Sequence, residues 1–180
     1  SVCTPVTVFV TNCVPVQTYS QNFDSTPVDG LPPCWTSIGS NLGYAKVIGY
    51  TGTVASAPNA LYIYTSGSST GMVSTPDLIG LDSNNAMISF KGRANSYVNG
   101  TVQIGYLADP ANTSSFVVLG TYTATSTSVL NNYSLDITGV PAGVTKLVFK
   151  HTGSEAYSLL IDDFVYQLGS LSTSETTLAK

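Results

Sequence analysis

Apolar side chains in this chain recur at every second position, and a helical repeat is nearly absent. Alternation of that kind sends successive side chains to opposite faces of a strand, so the chain must build sheets with one buried face. Val102, Ile104 and Tyr106 alternate with Thr101, Gln103 and Gly105, and Leu147 and Phe149 with Lys146 and Lys150. Further strand candidates span 61–65, 71–75, 86–93, 116–123, 133–137 and 157–168. Clusters of turn-forming residues at 66–70, 83–85, 99–100, 109–112 and 141–143 separate them. Short strands at a spacing of roughly ten residues predict an all-β fold, an antiparallel β-sandwich of jelly-roll type with less than about a tenth helix.

Composition narrows the function classes. Charged residues make up 9% of the 180 positions, against a usual ~25%. Ser and Thr supply 23 each, so the polarity is carried by neutral hydroxyls. With 43% hydrophobic residues there is material for one core and no signature of disorder. The net charge of −4 and the lack of any basic cluster exclude nucleic acid as a partner. Apolar runs are far shorter than the ~20 residues of a membrane helix, so no membrane insertion is expected. The chain opens on Ser1 without a Met, which suggests a segment of a longer protein. Residues 1–18, interrupted by Pro5 and Pro15, read as an N-terminal arm or edge strand, 19–168 as the module, and 169–180 as a linker.

The cysteines are Cys3, Cys13 and Cys34, and His151 is the only histidine, so a structural zinc site lacks ligands. One disulfide and one odd thiol is the reading that suits an exported protein. Cys13–Cys34 is the favoured pair and Cys3–Cys13 its rival, with three reduced thiols as the remaining alternative.

Catalytic constellations are poorly represented. No activated-serine context surrounds His151, and the two glutamates, Glu155 and Glu175, form no acid pair. Calcium is better served, because it accepts six to eight hard oxygens in irregular geometry. Asp24 lies near the first strand, and Asp162 and Asp163 lie among apolar residues of the last, where a carboxylate needs compensation. The competing expectation is an exposed Asp162 and an Asp163 capped by backbone amides. Strand parity puts Asp162 with Leu160 and Phe164 and leaves open which acid would face a metal. Trp35, beside a suspected disulfide, is expected in the core. The tyrosines are individually strand-packing residues, although an exposed cluster of them suits sugar rings.

The ordered motifs resemble a known family. Tyr19–Asp24, Leu31-Pro-Pro-Cys-Trp35, Ala57-Pro-Asn-Ala-Leu-Tyr62, Met72–Leu78, Asn85–Ala94, Val102–Pro110 and Leu160–Val165 follow one another as in the cleaved adhesin or choice-of-anchor J modules, which are related to MAM domains. The resemblance covers about residues 19–168. It implies a calcium-binding jelly roll from a large secreted protein of Bacteroidetes-type bacteria. Its metal positions fall on Asp24, Asn59, Asp162 and Asp163, and Asp24 stands where many relatives carry Glu. Residues 171–180 resemble the linker that precedes a type IX secretion sorting domain.

The expected function is that of a non-catalytic, calcium-stabilised binding module, secreted or on the cell surface. Its ligand would be a glycan or an extracellular host or matrix protein, and further domains of the same longer chain would be its neighbours. A purely structural accessory domain with calcium as its sole ligand is the first alternative, and a carbohydrate-active enzyme the second. An exposed cluster of two or three tyrosines would favour binding. A uniformly hydroxyl-covered surface would favour the spacer, and a cleft with two carboxyls at catalytic spacing the enzyme.

Overall fold

The alternating segments form strands in a computed structural model, which describes residues 12–39, 42–49, 52, 54–67, 69–151 and 158–169 and has eleven strands among them. In chain order they are β1 (Thr18–Gln21), β2 (Thr36–Ser37), β3 (Tyr44–Gly49), β4 (Asn59–Tyr64), β5 (Met72–Ser74), β6 (Ala86–Ala94), β7 (Thr101–Leu107), β8 (Phe116–Thr123), β9 (Asn131–Ile137), β10 (Val148–His151) and β11 (Leu159–Leu168). Two short 3-10 turns, Leu81–Ser83 and Thr113–Ser115, are the helical structure among the described residues. One sheet runs β3-β4-β11-β6-β9, with β1 also paired to β11, and the other runs β2-β5-β10-β7-β8. Every pairing between these strands is antiparallel. This is the expected jelly-roll sandwich.

The core lies between the sheets and follows the period-2 pattern. Val47, Leu61, Ile63, Ile88, Phe90, Ile161 and Phe164 of the six-stranded sheet meet Val73, Val102, Ile104 and Phe149 of the other. Leu147 is fully buried just before β10, where its N–H donates to Thr75 Oγ1. Trp35 sits at one end of this core. Its ring makes edge contacts with Phe23 and Phe164 and stacks on Phe149, and its Nε1 donates to Tyr19 Oη at 2.9 Å. The chain reaches Trp35 through a disulfide between Cys13 and Cys34, with Cα atoms 5.6 Å apart, so the favoured pairing is the one formed. Cys3, residues 1–11 of the expected arm and residues 170–180 of the expected linker lie outside the described residues.

The alternation did not single out β3. Only Ala45 and Val47 of that strand face the core, and Ile48 on the other side blurs the pattern. Close approach of backbones fixes a second feature that alternation cannot show. A methyl group on Gly71 would overlap the Tyr64 carbonyl, so glycine is needed where the chain leaves β4 and enters β5.

Candidate functional site

Three of the four expected metal positions come together where β11 changes partner. Leu159–Ile161 pair with β4, whereas Phe164–Gln167 pair with β1 on the same side. Between them the register to β6 slips: Asp162 opposes Lys91 and Val165 opposes Ser89, so β11 carries one extra residue there. That residue is accommodated by Asp163 at φ 48°, a left-handed conformation that Asp tolerates better than most residues. The bulge breaks the strand parity assumed from sequence. Phe164 points into the core, while Asp162 lies with Lys91 on the opposite face.

Asp162 is fully buried and replaces the missing strand pairing with its carboxylate. Oδ2 accepts the backbone N–H groups of Ala55 and Ser56, both at 2.9 Å, and Oδ1 accepts the Asp163 N–H at 2.8 Å. Ser56 Oγ lies 3.4 Å from Oδ1 and donates to the Asn22 carbonyl at 3.3 Å, joining this clamp to the loop after β1. Burial pushes the Asp162 carboxyl above its ordinary range, and the N–H donors from Ser56, Asp163 and Ala55 act in the opposite direction. The compensation for this carboxylate is therefore backbone dipoles.

The loop after β1 is pinned by Phe23, a core side chain whose φ of 62° turns the backbone sharply. Its neighbour Asp24 thereby reaches the start of β4. Asp24 Oδ1 accepts the Asn59 N–H at 3.2 Å, and Asn59 Nδ2 donates to the carbonyls of Asp24 and Thr26 at 3.2 and 3.0 Å. Asn22 Nδ2 donates to Asp24 Oδ2. Asp24, Asn59 and Asp162 are thus brought into one corner, linked through Ser56. Asp163 departs from it, half-exposed and ion-paired to Lys91 at 3.0 Å. The competing expectation, an exposed Asp162 and an amide-capped Asp163, is reversed. Asp162 is buried and capped by N–H groups, and Asp163 is half-exposed and ion-paired, because the bulge inverts the parity of β11.

A groove opens beside that ion pair, on the outer face of the six-stranded sheet. It encloses about 730 Å³ and crosses β1, β11, β6 and β9. Its outward side chains are Ser20, Val165, Ser89, Asn132 and Ser134, with Lys91 and Asp163 at one end and Val165 between Ser20 and Ser89. Phe90 and Phe164 form its floor from the core side. Farther along the same face, three tyrosines cluster on β3 and β4. Tyr44 stands opposite Tyr64 and Lys46 opposite Tyr62. Ring centroids are 5.1 Å apart for Tyr44–Tyr64, 6.0 Å for Tyr62–Tyr64 and 6.3 Å for Tyr44–Tyr62. Lys46 reaches over the Tyr44 ring and ion-pairs with Asp29 at 2.6 Å.

Sequence reasoning missed the groove because its residues alternate with core residues and look like ordinary exposed strand positions. It also missed the clamp loop at Ala55 and Ser56, since backbone donors leave no mark in a sequence. Arg93, quoted above as part of a motif, is 1% exposed and donates to the carbonyls of Ala94 and Thr127. His151 is 2% exposed, with Nδ1 3.1 Å from the Thr101 carbonyl. Among the described residues no group of three or more His, Cys, Asp or Glu side chains is placed to hold a metal ion, so a cation at the Asp24 corner would depend on amide and main-chain oxygens.

No protein-family model matches the chain, and no curated protein matches it in sequence. Solved structures match it in fold. The K2 cleaved adhesin domain of Lys-gingipain superposes with a TM-score of 0.67 at 15% identity, over 84% of this chain and 99% of that one. The K1 cleaved adhesin domain of Lys-gingipain from Porphyromonas gingivalis W83 gives 0.67 at 18% identity, over 85% and 99%. The carbohydrate-binding module TmCBM61, solved in complex with beta-1,4-galactotriose, gives 0.56 at 15% identity, over 82% and 99%. The chain therefore has the jelly-roll fold shared by cleaved adhesin domains and carbohydrate-binding modules.

Proposed function

We propose that this chain is a non-catalytic extracellular module that binds neutral glycans in the groove across β1, β11, β6 and β9. The observation that carries the reading is the lining of that groove: hydroxyl and amide side chains around one apolar residue, Val165, with the charges of Lys91 and Asp163 neutralising each other. Sugars offer many hydroxyls and no charge, so a wall of neutral donors and acceptors matches them. The tyrosine cluster on the same face, with Tyr44 exposed and Tyr62 and Tyr64 half-buried, argues for binding over a mere spacer. The fold shared with a galactotriose-bound module supports the ligand class.

Hydrolysis is disfavoured by the geometry of the acids. Glycosidases hold two carboxyls on either side of the bond they cleave. Here Asp162 is enclosed by N–H donors and Asp163 by the Lys91 ammonium, so neither is placed to donate or accept a proton at a bound sugar. The disulfide suits an oxidising, extracellular setting. No helix among the described residues is long and apolar enough to cross a membrane.

Calcium belongs to this proposal as a structural ion at the Asp24 corner. Asp24 and Asn59 would hold it, together with the main-chain carbonyls of Asp24 and Thr26. Rotation of the Asn59 amide would turn its oxygen toward those carbonyls in place of its N–H₂. Asp162 would support the corner from behind, its lone pairs already taken by N–H donors, and Asp163 would take no part. Thermal unfolding with calcium and with chelator tests this: a midpoint raised by calcium in the wild type and unmoved in Asp24→Ala is expected, and an unmoved wild type would remove calcium from the account.

The glycan reading is tested by affinity electrophoresis in β-1,4-galactan, xylan and other neutral polysaccharides. Retardation by at least one polymer, lost in an Asn132→Ala, Ser134→Ala double variant, is the expected result. Free migration in all of them would overturn it.

A further inference from the structure

The tyrosine cluster on β3 and β4 is separate from the groove, and its arrangement asks for a ligand of its own. Tyr44 is 37% exposed on an edge strand, and Tyr62 and Tyr64 stand beside it half-buried. All three lie on the outward side, because Ala45, Val47, Leu61 and Ile63 between them fill the core. Cross-strand pairing alone explains the Tyr44–Tyr64 contact. It does not account for a third ring beside that pair on a solvent-facing surface.

The charge around the rings is cancelled. Lys46, which stands among the tyrosines, is ion-paired to Asp29 at 2.6 Å. The Tyr62 hydroxyl is engaged by the Ser158 side chain, and burial pushes its pKa upward, so it stays neutral. The result is a net-neutral aromatic surface on which Lys46 lies over the Tyr44 ring and Tyr62 and Tyr64 complete the cluster, a composition that can take the C–H face of a sugar ring. Strand spacing and rise place Tyr62 about 12 Å from Lys91 at the end of the groove, on the same sheet face. The covered residues Leu160 and Arg93 lie between the two surfaces.

We infer that Tyr44, Tyr62 and Tyr64 form a second saccharide-stacking surface, and that the module engages one long neutral glycan at two points, groove and tyrosines. The inference rests on the groove being a glycan site. Binding at the first point makes the second intramolecular, so affinity for a polymer exceeds that for a fragment that fills the groove alone.

The experiment compares β-1,4-galactotriose with β-1,4-galactan, and short xylo-oligosaccharides with xylan, by calorimetry on the folded domain. For whichever pair binds, the wild type should favour the polymer over the trisaccharide by at least about tenfold per binding site. Tyr62→Ala and, separately, Tyr44→Ser should collapse that ratio toward one while leaving trisaccharide affinity unchanged. Emission from Trp35 confirms that each variant is folded. A ratio near one in the wild type, or a ratio that the tyrosine variants do not move, overturns the second surface while the groove stands. Polymer binding that is lost in the tyrosine variants, with no trisaccharide binding, supports the tyrosine surface and overturns the groove. Absence of binding by any probe overturns both. Retention of a protein ligand by the tyrosines with the glycan ratio unchanged also counts against the inference.

Discussion

Replacing Asp162 by Ala removes the acceptor for three backbone N–H groups at once: Ala55, Ser56 and Asp163. A buried donor left without a partner costs about 1–3 kcal/mol. All three hydrogen bonds are only part-buried, so the low end applies to each, and the sum is about 3 kcal/mol. At about 2–4 °C per kcal/mol for a domain of this size, the melting midpoint should fall by about 6–12 °C. Differential scanning calorimetry at neutral pH measures it. Ser56→Ala is the control, since it removes only a hydroxyl 3.4 Å from Oδ1 and keeps the N–H that matters. Its midpoint should stay within about 2 °C of the wild type. If Asp162→Ala melts with the wild type, or Ser56→Ala falls as far as Asp162→Ala, the carboxylate is not the clamp described here.

The same residue predicts a pH dependence. Burial raises the folded-state pKa of Asp162 above the ordinary 3.8, so the folded chain holds that proton more tightly than the unfolded one. Its contribution is most favourable at acid pH and declines as pH rises from the ordinary carboxylate range through the raised value. Asp162→Asn lacks this slope, so the wild-type advantage in midpoint should shrink as the pH rises above the ordinary carboxylate range of about 4; an advantage that grows contradicts the assignment. Removing the disulfide by Cys13→Ser and Cys34→Ser, which opens a loop of sequence separation 21, should cost about 3 kcal/mol, read as a lower midpoint that reductant no longer shifts. Trp35→Ala should cost about 3–5 kcal/mol in urea unfolding, because the ring fills the space between Phe23, Phe149 and Phe164; a loss below about 1 kcal/mol would mean that the aromatic cluster closes over the gap.

Much of the fold was legible because a sandwich writes itself into alternation. β8 spans 116–123 as its alternation indicates, and β6, β7, β9 and β11 differ from their sequence bounds by two residues or fewer. The Cys13–Cys34 pair was the favoured one of the pairings that three cysteines allow, and it is the one formed. Asp24 and the acid pair were picked out from the residues themselves and Asn59 through the family resemblance, and the pairing of β1, β4 and β11 does bring Asp24, Asn59 and Asp162 together. What stayed hidden was the bulge. A single inserted residue inverts parity, and Asp163 in the left-handed region carries no sequence mark that separates it from Asp162. The groove stayed hidden for a related reason: Ser20, Ser89, Asn132 and Ser134 become a site only when four strands from distant parts of the chain lie side by side.

The most direct test of the central claim is a ¹H–¹⁵N correlation titration of the domain with a neutral oligosaccharide drawn from a glycan-array screen. The account predicts that at least one neutral glycan is retained, and that its saturable shifts concentrate at Ser20, Ser89, Lys91, Asn132, Ser134 and Asp163. No retained glycan, or shifts confined to β5, β7 and β10 on the opposite sheet, would contradict it.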